Sequence, residues 1–206
     1  MSNSQPRIYL ASQSPRRREL LNQIGVHFDL LLLRSDPRRQ VDVDETPYLN
    51  EAPDSYVQRL SREKACAGFN ALKYRNLPQN PVLAADTTVT LNGKILGKPD
   101  NAEQAAVMLR ELSGREHQVL TAVAMAQDEQ IEVRLSTSIV RFAPLSEAHI
   151  IRYLQSHEYA DKAGGYAIQG QAAAFIEHLS GSYSGVMGLP LFETVQLLQH
   201  FNFPVL

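Results

Sequence analysis

The chain of 206 residues has a single cysteine, no tryptophan and only five lysines. One thiol, Cys66, excludes an internal disulfide framework and any cysteine-based zinc site, and it permits a reducing compartment. No apolar run approaches the roughly 18 residues that a membrane helix needs, so no membrane partner is expected. The polar start, Met1 to Gln5, is followed by only a short apolar stretch at Ile8–Ala11, which is not a secretory signal. A cytoplasmic location is the expectation. Charge of one sign is also lacking: 20 basic residues face 22 acidic ones, a formal net of −2. That excludes a strongly cationic nucleic-acid protein, so no nucleic-acid partner is expected. Three familiar signatures are missing as well: the Walker phosphate loop, the H-E-x-x-H zinc pattern and the G-x-S-x-G nucleophile elbow.

What is present begins with an uneven charge distribution. Residues 1–41 carry seven arginines and no lysine against Glu19, Asp29 and Asp36, while the remainder is acidic. A basic head on an acidic body suits a small anionic ligand bound near the N-terminus. With 44% hydrophobic residues, the chain can bury a large core. It reads as a single domain over 1–206, with a boundary near residue 115 or 145 as an option for two lobes.

The periodicities predict a strand at Arg7–Ala11 and a helix opened by Ser14-Pro15, with Ser14 as cap, and stopped by Gly25. A strand at Phe28–Leu33 leads into a polar loop over 34–52. Asp54 should cap a long helix to about Arg75, with Val57, Leu60, Lys64, Ala67 and Ala71 on one face. Pro81–Ala85 reads as a buried strand ending in Asp86. Asn92-Gly93 should turn a type I′ hairpin between Thr87–Leu91 and Lys94–Leu96. Asn101 and Gln104 form a capping-box pattern. Two long strands are predicted over 115–127 and 130–142, then a helix from Ser146 to about Ser156. A glycine-rich stretch at Ala163–Gly170 follows, then a strand at Ala172–Leu179, a loop at Gly181–Gly188 and a last helix opened by Pro190. The pattern is mixed α/β around a twisted, partly antiparallel sheet.

Several constellations could carry chemistry. Ser12, Ser14, Arg16 and Arg17 stand where a strand feeds a helix, and a helix N-terminus with hydroxyls and guanidinium forks makes a phosphate cradle. Read singly, the segment is more readily a plain cap with solvated arginines. Glu45 in the acidic run Asp42–Glu45 and Asp86 at a strand end are either turn residues or two hard-oxygen ligands for Mg²⁺ or Mn²⁺. Lys64 within an apolar stripe either snorkels or aims its ammonium at a buried site. Lys98 follows the hairpin and can meet phosphate. Gln169 in the glycine stretch offers both a donor and an acceptor to a base edge. The histidines form no metal-binding pattern and read as surface or packing residues.

Taken in order, these segments resemble the Maf family of nucleoside triphosphate pyrophosphatases over nearly the whole chain. The matching stretches are Leu10-Ala11-Ser12-x-Ser14-Pro15-Arg16-Arg17, Asp44-Glu45-Thr46-Pro47, Glu63-Lys64-Ala65, Ala85-Asp86-Thr87 and Gly97-Lys98-Pro99. They continue with Leu112-Ser113-Gly114, Asp161-Lys162-Ala163-Gly164, Ile168-Gln169-Gly170 and Val186-x-Gly188-Leu189-Pro190. Arg34, Arg38 and Arg39 lie in a connection longer than is usual in the family, and Ala85 and Ala167 stand where glycine is common.

The resemblance implies a Maf/ITPase-like mixed twisted sheet flanked by helices, with two lobes and a central cleft. It implies cleavage between the α- and β-phosphates with a divalent cation, Mg²⁺ or Mn²⁺. Arg16, Thr87 and Gln169 match the branch that takes dTTP and UTP; the 7-methyl-GTP branch typically carries tryptophan after Ser-Pro, and this chain has none. On that likeness Asp86 is the proton acceptor, Glu45 and Asp86 share the metal, and Lys64 and Lys98 bind the triphosphate. Ser12, Ser14 and Arg16 hold phosphate, Arg17 either helps them or faces solvent, and Thr87 and Gln169 shape the base pocket. The same residues leave modified pyrimidine nucleotides open as substrates and a homodimer open as the assembly. The rival reading is a non-enzymatic regulator of septum formation, which would need none of these ordered carboxylates and lysines.

Overall fold

The computed structural model describes residues 5–34 and 41–205. Strand β1 (Ile8–Leu10) leads through Ser12 into helix α1 (Pro15–Gln23), and the chain returns as β2 (Phe28–Leu30), parallel to β1. Helix α2 (Pro53–Tyr74) precedes the ten-residue β3 (Val82–Leu91), which turns back as β4 (Lys94–Leu96). Helix α3 (Ala102–Leu112), the long antiparallel pair β5 (Glu116–Gln127) and β6 (Gln130–Phe142), and helix α4 (Glu147–Leu154) follow. The last part runs through 3₁₀ turns at Ala163–Gly165 and Gln171–Phe175 to β7 (Ile176–Ser180), α5 (Tyr183–Met187) and α6 (Leu191–His200).

All strands join one sheet in the order β2-β1-β3-β5-β6-β7, with β4 paired to the far half of β3. Only β2-β1 and β1-β3 are parallel; every other pair is antiparallel. Because side chains alternate across a strand, the residues of β3 serve two layers. Val82 and Ala84 pack with Ala65, Phe69 and Leu72 of α2. Leu83 and Ala85 pack on the opposite face with Leu20 and Leu21 of α1 and Leu197 and Leu198 of α6. A further cluster joins Val89 and Leu91 to Leu109 and Leu112 of α3 and to Ile150 and Tyr153 of α4.

The hairpin forms as its sequence predicts: Asn92 and Gly93 both take positive φ, the type I′ requirement. Asn101 accepts from the Gln104 amide and Ser146 from the His149 amide, as predicted for both caps. Seven local expectations are corrected. The strand expected over Phe28–Leu33 ends at Leu30, and the loop expected over Gly181–Gly188 holds helix α5. Ser14 occupies the cap position of α1 with no side-chain cap bond, and its own amide donates to Ser12 Oγ. Helix α2 starts a residue early, at Pro53, so Asp54 lies in its first turn rather than capping it. The buried stripe of α2 is Val57, Leu60, Ser61, Ala65, Gly68, Phe69 and Leu72, which leaves Lys64 at its edge. Residues 171–175 form a 3₁₀ turn, and the strand starts only at Ile176. Finally, β3 does not end at Asp86 but continues without a break to Leu91. Among the described residues no helix is long and apolar enough to cross a membrane.

Candidate active site

The last correction is what makes the cleft. Strand β1 pairs with β3 only as far as Leu83, and β4 begins to pair with it at Val89. Between those points the β1-side edge of β3 has no strand partner among the described residues, and a cleft of about 720 Å³ opens there. The chain leaves the carboxyl end of β1 at this spot, having crossed to β2 on one side while β3 lies on the other. That is the switch point where α/β sheets admit ligands. All of the residues singled out from the sequence line this cleft: Ser12, Ser14, Arg16, Arg17, Glu45, Lys64, Asp86, Thr87, Lys98 and Gln169.

Asp86 shares the parity of Val82 and Ala84 and so faces α2. There Lys64 donates to Asp86 Oδ1 at 2.6 Å and lies 2.7 Å from Glu45 Oε1. The lysine does not snorkel: its side chain is 14% exposed and bridges two carboxylates brought from separate segments. Burial works to raise the Glu45 pKa, but the charges of Lys64, Lys98 and Arg17 and the bond from Lys64 outweigh it, and the net shift is downward. Tyr56 fixes the backbone here by donating to the Glu45 carbonyl at 2.9 Å. Arg59 pins the rest of the acidic loop through a two-pronged pair with Glu51 at 2.7 and 2.8 Å and a bond to the Thr46 carbonyl. Neither Tyr56 nor Arg59 carries a sequence signal that would have marked it.

Thr87, one residue on, points to the opposite face and meets Arg17. The guanidinium donates to the Gly188 carbonyl at 2.7 Å, to Thr87 Oγ1 at 3.2 Å and to Ser12 Oγ at 3.3 Å. Gly188 aims that carbonyl from a φ of 117°, which few side-chain-bearing residues adopt. Proton counting orders the network further. Thr121 lies 2.7 Å from the Gly185 carbonyl and 3.0 Å from Thr87 Oγ1. A carbonyl only accepts, so the Thr121 hydroxyl is the donor toward Gly185, and it is also the donor toward Thr87 Oγ1. Ser12 accepts from both Arg17 and the Ser14 amide, so its own proton is what it can offer a phosphate oxygen. Burial lowers the Arg17 pKa, against the opposing charges of Asp86 and Glu45.

The other wall is cationic. Burial lowers the pKa of Arg16. It also lowers that of Lys162, with the like charges of Arg16 and Lys98 adding to the effect. The loops bearing Lys98 and Lys162 are stitched together by a bond from the Gly164 amide to the Gly97 carbonyl at 3.0 Å. Lys98 and Gln169 are exposed at the rim. Lys162 and Tyr166, which the sequence did not single out as site residues, also line the cleft. Of the basic head, Arg7 pairs with Asp29 and Arg34 with Asp42, away from the cleft. Arg38 and Arg39 lie outside the described residues.

Among the described residues no group of three or more histidine, cysteine or acidic side chains could hold a metal ion. Glu45 and Asp86 nevertheless converge on one cation, the Lys64 ammonium. Two hard carboxylates fit Mg²⁺ or Mn²⁺, which take one or two protein carboxylates and fill their remaining positions with phosphate oxygens and water.

A family model described as "Maf-like protein" matches residues 7–201. The dTTP/UTP pyrophosphatase of Aromatoleum aromaticum is 54% identical over 206 residues, covering 100% of both chains. That of Nitrosomonas europaea is 56% identical over 198 residues, 96% of each chain. That of Ralstonia nicotianae is 55% identical and spans 94% of this chain and 93% of its own. Among solved structures, the Staphylococcus aureus Ham1 protein aligns with a TM-score of 0.52 at 16% identity, over 95% of this chain and 97% of that one, which shows a shared fold.

Proposed function

The chain belongs to the Maf-like protein family, and on that premise we propose how its cleft works. It is a nucleoside triphosphate pyrophosphatase acting on dTTP and UTP. Water adds across the α–β anhydride, and the nucleoside monophosphate and pyrophosphate leave.

In this reading Asp86 takes the proton of the attacking water. Its Oδ1 is engaged by Lys64, which leaves Oδ2 to receive the proton. Lys64 holds that carboxylate in register and balances the negative charge that builds on the phosphate oxygens. Glu45 and Asp86 are the residues that would hold a divalent cation, Mg²⁺ or Mn²⁺, whose chemistry is charge neutralisation on the triphosphate. Ser12, Ser14, Arg16, Lys98 and Lys162 face the phosphates with donors and positive charge. Arg17, satisfied by Ser12, Thr87 and Gly188, keeps the floor of the cleft rigid. Gln169 reads the pyrimidine edge and Thr87 shapes the wall beside it. The methyl group separating dTTP from UTP is worth only about 1–3 kcal/mol, so both are accepted.

The observation that carries the reading is the meeting of Asp86, Lys64 and Glu45 within 2.7 Å contacts in a cleft whose lining also brings Arg16, Arg17, Lys98 and Lys162. The test is metal-dependent pyrophosphate release from a nucleotide panel. UTP and dTTP should lead; equal turnover of GTP would defeat the role given to Gln169. The reading puts the enzyme among cytoplasmic nucleotide pools, and sedimentation would report whether it works there as a homodimer.

A further inference from the structure

We propose that Glu158 is a positioning residue for nucleotide selection, holding from behind the backbone that carries Gln169. The inference rests on the pyrophosphatase reading and concerns a residue that does not itself line the cleft.

Glu158 lies in the turn after α4. Its Oε2 accepts from the Gln171 amide at 2.8 Å, and its Oε1 from the Ala172 amide at 3.4 Å and the Tyr153 hydroxyl at 3.2 Å. These amides open the 3₁₀ turn Gln171–Phe175, where helical geometry leaves N–H groups without backbone partners and favours a negative charge. The anchor beneath is firm, since Tyr153 is 2% exposed and its ring packs 5.4 Å from Phe175.

Gly170 supplies the second observation. A Cβ built there would overlap the Glu158 carboxylate. The φ of Gly170 is −110°, an ordinary value for any residue. Its lack of a side chain is therefore needed for room, not for conformation. Glu158 is thus held directly against the backbone that follows Gln169, and an unbranched path lets the two approach. A third observation ties the latch to the cations of the same wall: the negative charge of Glu158 acts on both Arg16 and Lys162, opposing the effect of their burial. One carboxylate therefore touches the loop of the base-reading residue and biases two cations of the phosphate wall.

The test is steady-state pyrophosphate release by the full chain on UTP, dTTP, CTP and GTP, with a thermal melt for each variant. Glu158→Gln keeps the length but loses the charge and turns an amide donor toward backbone donors. It should raise the UTP KM and lower the UTP-over-CTP preference by about 10-fold each, while kcat stays within about two-fold. Gly170→Ala should give the same signature by pushing the carboxylate away, and Glu158→Asp should lie between wild type and Glu158→Gln. A folded Glu158→Gln with unchanged UTP KM and unchanged preference overturns the proposal, as does a uniform loss of kcat on all nucleotides. Should Glu158→Gln fail to fold, Gly170→Ala decides by the same criterion. Wild-type protein that releases no pyrophosphate from UTP or dTTP would overturn the pyrophosphatase reading itself; wild-type activity with unaltered variant selectivity overturns only the role of Glu158.

Discussion

The two walls of the cleft are built differently. The floor, Asp86, Thr87, Lys64 and Arg17, stands on β3, α2 and α1, and each of these side chains is tied to another by hydrogen bonds of 2.6–3.3 Å. The rim, Glu45, Lys98, Lys162 and Gln169, is carried by loops, and much of it is exposed. Groups that must meet a reacting atom within a fraction of an ångström belong on rigid elements. Groups that recognise a ligand can sit on loops, provided that something else fixes the loop. Here the fixtures are Arg59 and Tyr56 for the acidic loop, the Gly164–Gly97 bond for the lysine loops and Glu158 for the glycine stretch.

If the division holds, floor variants should lose rate and rim variants should lose selectivity or affinity. Asp86→Asn should drop kcat by about 10³-fold with an unchanged melting temperature, as removal of a general base does. Normal turnover by that folded variant would remove the floor's chemical role. Arg17→Lys should come next. A lysine cannot present three donors in a fixed fork, so buried acceptors go unpaired and the protein should lose about 2 kcal/mol in a denaturant titration. A wild-type midpoint for that variant would show that the network carries little.

On the rim, Gln169→Ala should cut the preference for UTP over GTP by about 10-fold and leave kcat nearly intact, since a lost hydrogen bond to the base acts on binding. A large fall in kcat would move Gln169 from the rim to the floor.

The mildest effect concerns acid. The bond from Arg59, acting against burial and aided by the Tyr48 amide, holds the Glu51 pKa down to about 2, below the usual value near 4.5. A depressed carboxylate contributes fully above its unfolded pKa and loses that contribution as pH falls through the folded one. The 44–52 loop should therefore lose hydrogen-exchange protection progressively as pH falls from about 4.5 to about 2 in wild type. In Arg59→Ala the protection should already be lower above that window and should vary little across it, and indifference to the substitution would show that Tyr56 alone pins the loop.

Much of this was legible in the residues. Asn92-Gly93 and the Asn101 and Ser146 caps act through neighbours two or three residues away, and each forms as predicted. Lys64 was conspicuous because an ammonium in an apolar stripe needs a partner. What was not legible depends on distant segments. Asp86 looked like a strand end because apolar residues stop there, yet β5 continues to pair with β3 through Thr90, and pairing, not hydropathy, sets a strand's length. The Gly188 carbonyl that receives Arg17 lies 171 residues along the chain from it. Glu158 gave no signal because its partners are backbone amides, which every residue possesses.

The sequence by itself determined the chemical inventory: carboxylates, lysines, arginines and a base-reading amide in a recognisable order, with no cysteine or histidine chemistry competing. It also determined the local turns and caps, whose energies are settled within a few residues. Tertiary structure alone decided that the pairing of β1 with β3 stops at Leu83 and that of β4 begins at Val89, so that the β3 edge between those residues opens as the cleft. It decided too that Asp86 and Thr87, neighbours in sequence, serve opposite faces of one sheet. The physical reason is that strand partners and facing layers are chosen by the burial of the whole apolar surface, a sum over the entire chain that no single segment carries.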